Sequence, residues 1–170
     1  MKNITVHVFA MLTVLLGAPW VGLAEDTSPG KNSVYASDSS TAGLPGSCGN
    51  ELLAGIIEKG KPKRVIAIEA TLNTALSSNL DDLCLKAEVN GVQAQPFSSP
   101  TFFGTRASCN AGETCSLAAS FWLDLDAAEA ANPGVFKKQP LNIRLLGGDD
   151  LNNGSGAFYA VTMTARMEKK

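Results

Sequence analysis

Histidine is almost missing from this sequence of 170 residues, and that gap excludes whole classes of chemistry. The one histidine, His7, lies within residues 1–24, which carry the features of an export signal. A chain that loses this segment has no imidazole for a Ser-His-Asp or Cys-His mechanism. It also has no imidazole ligand for zinc, copper or iron. We therefore expect the mature protein to lack histidine-dependent catalysis.

The sequence also lacks a basic stripe and a long hydrophobic run. Loss of Lys2 with the signal leaves 13 Lys and Arg residues against 16 Asp and Glu residues, a net charge of −3 with interspersed signs. Without a concentrated positive surface, we expect no nucleic-acid partner. No apolar stretch after residue 24 approaches the ~20 residues that a membrane-spanning helix needs, so we expect no stable membrane insertion after signal cleavage.

Residues 1–24 have the three parts of a secretory signal peptide. Lys2 precedes the apolar run 8–16, and the small-residue exit Gly22-Leu23-Ala24 is followed by Glu25-Asp26. An uncleaved anchor is the alternative, but the run is too short to span a hydrocarbon core of ~30 Å. We predict a cleaved signal and a periplasmic or secreted protein.

Four cysteines lie in the predicted mature chain, and an even count in a small exported domain predicts two disulfides. Cys109 and Cys115 are close in sequence and separated by a segment with a glycine, so we favour this pair. That choice leaves Cys48 with Cys84. A metal site is the alternative, but the chain has no Cys-x-x-Cys pair and no histidine to complete one.

The composition divides the mature chain into two parts. Residues 25–46 are rich in Ser, Thr, Gly, Asp and Pro, so we predict a flexible leader that buries too little surface to order itself. The disulfide-bonded domain is expected at 47–170. At its start, apolar residues at helical spacing predict a short helix over 50–59.

Alternation with a period of two then predicts strands. Residues 65–76 form a half-buried strand, and 83–95 read as a hairpin whose Asn90-Gly91 pair suits a type I′ turn. Pro96 places the end of that hairpin at a sheet edge. A second hairpin is expected from 101–108 and 114–125.

The last third of the chain continues this pattern. Residues 126–131 predict a short helix N-capped by Asp124 or Asp126, and further strands are expected at 141–145, ending at Gly147-Gly148, and at 157–167. Many short strands without long helices predict an all-β fold. We expect an antiparallel β-sandwich, immunoglobulin-like or jelly-roll-like, with one or two short helices.

Two sets of residues are candidates for a site. Trp122 and Phe102 belong to aromatic pairs with one member on each strand face, so one ring of each pair could contact a partner. The loop after Gly147-Gly148 is rich in oxygen ligands, which predicts a possible Ca²⁺ site at Asp149, Asp150 and Asn152. Core packing and tight turns are the alternative readings of the two sets.

These features favour an exported, non-catalytic binding module that contacts a protein or carbohydrate partner. The first alternative is a structural subunit of an envelope or surface appendage, which would expose an unpaired sheet edge. The second is a small hydrolase that uses carboxylates, but its acidic residues cluster in turns instead of facing each other across a cleft.

Overall fold

The computed structural model describes residues 26–29, 32–41, 43–58, 64–76, 80–96, 105–109, 114–137, 140–149 and 156–169. Within these residues the chain forms eleven strands and one helix. In chain order they are β1 (Asp26–Pro29), β2 (Ser33–Ser40), β3 (Glu51–Ile57), β4 (Arg64–Leu76), β5 (Leu80–Val89), β6 (Val92–Gln93), β7 (Gln95–Pro96), β8 (Thr105–Cys109), β9 (Thr114–Asp124), α1 (Leu125–Ala131), β10 (Leu141–Asp149) and β11 (Gly156–Lys169).

The strands form two antiparallel sheets, here called the front and back sheets. The front sheet has six strands in the order β1-β2-β11-β4-β9-β7. The back sheet has the order β3-β10-β5-β6, with β8 also paired to β5. One cluster of buried residues draws on both sheets, which is the layered core of a β-sandwich. The predicted all-β, antiparallel architecture is confirmed.

The long strands at the centre of the front sheet show why this sequence forms strands. In β4 the side chains of Ile66, Ile68 and Leu72 are fully buried, while Glu69 between them is exposed. Branched apolar side chains at alternate positions place one strand face in the core and leave the other to solvent. β11 and β9 pair along almost the whole length of β4 and repeat this pattern.

The predicted Asn-Gly hairpin is present between β5 and β6. Asn90 and Gly91 both have positive φ, 50° and 79°, as a type I′ turn requires. The Asn90 side chain then ties the turn to β10, because its Oδ1 accepts a 2.8 Å hydrogen bond from the Asn142 backbone N–H. Pro96 lies in β7, the last strand of the front sheet, so the predicted edge position is also confirmed.

The short helix α1 follows β9 directly and has the expected cap. The Asp124 carboxylate accepts hydrogen bonds from the backbone N–H groups of Asp126 and Ala127 at 3.0 and 3.2 Å. These bonds satisfy donors that have no partner within the first turn of a helix. α1 ends at Ala131, before Asn132, which agrees with the predicted stop.

The prediction of a flexible leader over 25–46 is wrong for the residues of β2. This strand pairs with β11 from Ser33, opposite Arg166, to Ser40, opposite Tyr159. Val34 and Ala36 are buried in the core. A strand inserted beside a long partner gains its hydrogen bonds from that partner, so few apolar residues suffice, and composition alone does not reveal it. The ordered domain therefore begins before residue 47.

The helix predicted over 50–59 is also wrong, because this segment forms β3. Pairing with β10 determines the outcome, together with close packing at Gly55. A Cβ at Gly55 would lie 2.8 Å from Val34 Cγ2, so the glycine lets β3 approach β2 across the core. Leu52 and Leu53 are buried although they are neighbours in sequence. The burial of two neighbours, together with the exposed apolar residue Ile56, gave the segment its helical spacing.

The second hairpin, predicted from 101–108 and 114–125, does not form as expected. β8 pairs with β5 in the back sheet, whereas β9 pairs with β4 and β7 in the front sheet. The two strands are neighbours in sequence but lie in different layers. The alternating pattern of β9 was read correctly, but partner choice depends on tertiary contacts that a local pattern does not encode.

A disulfide between Cys48 and Cys84 is present, which confirms one predicted pair. Cys115 is also disulfide-bonded, while the side chain of Cys109, its predicted partner, lies outside the described residues. The segment 43–50, here called the strap, runs beside β10 at the first of these bonds. Asp149 donates its backbone N–H to the carbonyl of Pro45 at 2.8 Å, and Gly147 donates to the carbonyl of Asn50 at 2.9 Å.

Glycine at position 148 is what lets the strap lie this close. A Cβ there would collide with the carbonyl oxygens of Pro45 and Ser47, which are backbone atoms and cannot swing away. β10 therefore continues through Gly147-Gly148 to Asp149, beyond its predicted end. The predicted signal at 1–24 lies outside the described residues, and among those that are described no helix is long and apolar enough to span a bilayer.

Candidate functional site

The outer face of the front sheet carries short polar side chains at its centre. Strand alternation aims Thr71 of β4, Thr162 of β11 and Ala118 of β9 away from the core, and the three lie side by side. The next row toward the C-terminal end of β11 places Thr164, Glu69 and Ser120 side by side. Small side chains in two adjacent rows leave the sheet surface low at this point.

These two rows form a shallow depression of about 360 Å³, here called the hydroxyl depression. Its position across three paired strands fixes the spacing of its side chains, because neighbouring strands lie ~4.8 Å apart. Three threonines and one serine supply its hydroxyls, and one residue of the lining is acidic. The lining residues are Glu69, Ala70, Thr71, Ala118, Ala119, Ser120, Thr162 and Thr164.

An ion network stands beside the depression. Arg166 Nη2 lies 3.2 Å from Glu69 Oε1, and Arg166 Nε lies 2.7 Å from Glu168 Oε1. The hydrogen bond to Glu168, helped by the charge of Glu69, raises the pKa of Arg166 above its ordinary value. The side chains are about half exposed, so the network adds little to stability. Its effect is to hold Glu69 in a defined position.

Two aromatic side chains flank the depression. Trp122 follows Ser120 by two residues on β9, and its half-buried side chain lies on the same outer face, opposite Ala67 of β4 and Gln95 of β7. Tyr35 of β2 lies opposite Thr164 on the other side and is 42% exposed. Of the two predicted contact residues, Trp122 is thus on an outer face, while Phe102 lies outside the described residues.

This arrangement suits a ligand that presents many hydroxyls and an apolar ring face. Threonine and serine hydroxyls each donate one hydrogen bond and accept two, and a carboxylate accepts several. The faces of aromatic rings are electronegative and attract C–H groups with positive partial charge. Glu69 is the one acidic residue that lines the depression, whereas a glycosidase uses two carboxyl groups that flank the bond to be cleaved.

The predicted Ca²⁺ site falls mostly outside the described residues, since Asp150 and Asn152 are among those left out. Asp149 ends β10 and is fully buried beside the strap. Among the described residues, no three His, Cys, Asp or Glu side chains come together in a way that could hold a metal ion. Calcium binding at this loop stays a prediction.

Sequence reasoning missed most of this face. Alternation placed Glu69 and Thr71 on the polar side of β4, and Thr162 and Thr164 on the polar side of β11, so the exposed positions were readable. Their adjacency was not, because it depends on β11 pairing with β4 across most of the chain. Tyr35 was missed because it lies in the segment predicted to be a flexible leader. Its alternation with the apolar residues Val34 and Ala36 could have indicated a strand there.

No protein-family model matches the sequence, and no curated protein does so either. Among solved structures, the chain is similar to one described as "EclA C-terminal domain; sugar-binding protein". The two are 6% identical, and the match covers 78% of this chain and 76% of that one at a TM-score of 0.42. A likeness this low carries no argument about what the present chain binds.

Proposed function

We propose that this protein is an exported, non-catalytic binding module that holds a carbohydrate on the outer face of its front sheet. The observation that carries the proposal is the hydroxyl depression with Trp122 at its side. Sugars offer hydroxyls at the spacing of neighbouring side chains and C–H faces that stack on aromatic rings. The disulfides and the predicted signal at 1–24 support a periplasmic or secreted location.

The composition of the depression itself, without the aromatic residues that flank it, favours a carbohydrate over a protein partner. The centres of protein interfaces are enriched in aromatic residues, Met and Arg, and they are depleted in Ser, Ala and Glu. The depression has the opposite composition, with Ala118, Ser120 and Glu69 among its lining residues. A hydrated ligand such as a sugar can exchange its water contacts for these hydroxyls.

The test is a glycan array screened with oxidised residues 25–170, followed by calorimetric titration of the best ligand. We expect Trp122→Ala to weaken binding about tenfold or more, the loss typical of a tryptophan at a binding hot spot. The control is Ile56→Ala, which truncates an exposed apolar residue, 43% accessible, on the back sheet. That variant is expected to bind like the wild type.

A second variant guards against a folding defect in the tryptophan mutant. Thr71→Val keeps the shape and strand preference of the side chain and removes only its hydroxyl. We expect it to keep the wild-type melting temperature and to bind about fivefold less tightly. Equal binding by the wild type, Trp122→Ala and Thr71→Val would place the ligand elsewhere and overturn the proposal.

Light scattering after size-exclusion chromatography distinguishes a binding module from the alternative of a structural subunit. A monomer at all concentrations is the result expected of a binding module. Assembly that grows with concentration, with no glycan bound in the array, would instead support a subunit of a larger structure.

A further inference from the structure

The two aromatic residues beside the hydroxyl depression are too far apart to touch one sugar ring. From Tyr35 to Trp122 the sheet runs through β2, β11, β4 and β9, which is three strand spacings, and Trp122 lies one row further along. With ~4.8 Å between strands and ~3.4 Å per residue, their Cα atoms are roughly 16 Å apart. A single pyranose ring is much shorter than this distance.

The surface between them is continuous and polar. A path from Trp122 to Tyr35 crosses the hydroxyl depression and passes Ser120, Glu69 and Thr164 in turn, because these three residues are cross-strand neighbours. Ser120 and Thr164 of this row are short, and the longer Glu69 between them is drawn toward Arg166 in the neighbouring row. A chain of several sugars could thus stack at both ends and form hydrogen bonds along its middle.

The charges around this path disfavour an anionic ligand. Glu69 and Glu168 share the single positive charge of Arg166, so these three residues carry a net charge of −1. Asp124 adds a further carboxylate two residues beyond Trp122 on β9. Carboxylate or sulfate groups on a glycan would lie within about one Debye length, ~8 Å, of these acidic groups and would be repelled.

The charge of Glu69 is already matched. Its carboxylate faces the Arg166 guanidinium at 3.2 Å, so a cationic group that entered the depression would have to compete with Arg166 for Glu69. An uncharged glycan therefore gains the hydroxyl and aromatic contacts without the repulsion that an anionic glycan meets and without the competition with Arg166 that an amino sugar meets.

Resting on the proposed function, we infer that the ligand is an uncharged glycan chain of at least three sugars, lying across the strands from Trp122 to Tyr35. Trp122 is the primary stacking position, since its half-buried ring is held by its neighbours. Tyr35, more exposed, extends the site to a longer chain.

The test compares monosaccharide, disaccharide and hexasaccharide forms of the uncharged glycans on the array, with oligogalacturonate as the anionic comparator and chitosan hexamer as the cationic one. We expect an uncharged hexasaccharide to bind about tenfold more tightly than its disaccharide. Tyr35→Ala should abolish that gain and leave disaccharide binding unchanged, while Trp122→Ala should weaken both. Phe158→Ala is the control, because Phe158 is similarly exposed, 40%, on the same face but lies four rows from Trp122.

Two results would overturn this inference while leaving the proposed function intact. One is a disaccharide or monosaccharide that binds as tightly as the hexasaccharide, with Trp122 still required. The other is a charged hexamer that binds best and depends on Trp122. Failure of every glycan to bind would overturn the proposed function itself, and the inference with it.

Discussion

The outer face of the front sheet is open and lined by short polar side chains, whereas the outer face of the back sheet is partly covered and cross-linked. On the back sheet the strap lies against Gly148, held by the disulfide between Cys48 and Cys84. Nearby, Arg144 sits between Glu51 at 2.6 Å and Glu88 at 3.4 Å. Both outer faces carry an ion network, but the back face is also cross-linked by a disulfide, whereas the front face carries the open hydroxyl depression.

The difference shows how a small sandwich can divide its tasks between its layers. The exposed hydroxyls and small residues of the hydroxyl depression contribute little to stability, so mutations there should change binding more than they change the free energy of unfolding. The opposite layer then has to supply constraint, which the disulfide gives by limiting the unfolded chain. Stability and binding should therefore respond to mutations on different faces.

The largest expected effect is the loss of stability when the disulfide that holds the strap is removed. The bond between Cys48 and Cys84 closes a loop with a sequence separation of 36. On the loop-entropy model, the double substitution Cys48→Ser with Cys84→Ser should lower the free energy of unfolding by about 4 kcal/mol. Urea denaturation measures this loss.

The same variant tests whether the two faces are independent. Below its melting temperature it should keep the glycan affinity of the wild type, because the hydroxyl depression lies on the other sheet. A parallel fall in affinity under native conditions would show that the strap side also shapes the binding face.

The second prediction compares the inner and outer faces of the front sheet through its two tyrosines. Tyr35 points outward, whereas Tyr159 is buried, and this burial, followed by the charge of Asp38, raises the pKa of the Tyr159 phenol above its ordinary value of 10.0. A raised pKa means that its contribution to stability is complete below pH ~10 and is lost as the pH rises through the folded-state pKa.

Absorbance at 295 nm during an alkaline titration reports this group directly. We expect one phenol to ionise late, and Tyr159→Phe to remove that late step and to flatten the loss of stability at high pH. The Tyr35→Ala variant should keep the late step. If the late step disappeared in Tyr35→Ala instead, the late phenol would be Tyr35, and the assignment of Tyr159 to the inner face would be wrong.

The smallest effect is expected where the chain passes from the front sheet to the back sheet. After α1, the Glu129 carboxylate accepts hydrogen bonds from the backbone N–H groups of Gly134 at 2.6 Å and Phe136 at 2.8 Å. These bonds lower the pKa of Glu129 below its ordinary value of 4.5. Its contribution to stability is therefore present above pH ~4.5 and is lost as the pH falls through the folded-state pKa.

The Glu129→Gln variant keeps one acceptor oxygen but loses the charge. We expect a small fall in melting temperature at pH 7 that shrinks at pH 3, measured against Glu58→Gln, an exposed control after β3. A difference that stayed constant across this pH range would mean that the charge of Glu129 does not support the turn.

Where local signals were complete, the sequence predicted the structure well. Asn90-Gly91 placed a hairpin turn because few other residues adopt positive φ, and Asp124 marked the start of α1 because its carboxylate caps the helix. The alternation in β4, β9 and β11 identified long half-buried strands. Each of these features depends on residues close together in sequence.

Predictions failed where a distant partner decided the outcome. β2 lies in a composition typical of a leader but gains its backbone hydrogen bonds from β11, more than 100 residues away in the chain. The apolar spacing of β3 resembled a helix because Leu52 and Leu53 are both buried and Ile56 is an apolar residue on the exposed side. β8 and β9 separated into different sheets although they were expected to form a hairpin.

The sequence by itself determined the long alternating strands β4, β9 and β11, the Asn90-Gly91 turn and the Asp124 cap, and it places no histidine in residues 25–170. Each is a property of residue type or of local spacing. Only the tertiary structure decided that β11 lies between β2 and β4, and that β4 lies beside β9. That order brings Thr162, Glu69 and Ser120 onto one surface, because side chains far apart in sequence become neighbours only when their strands pair.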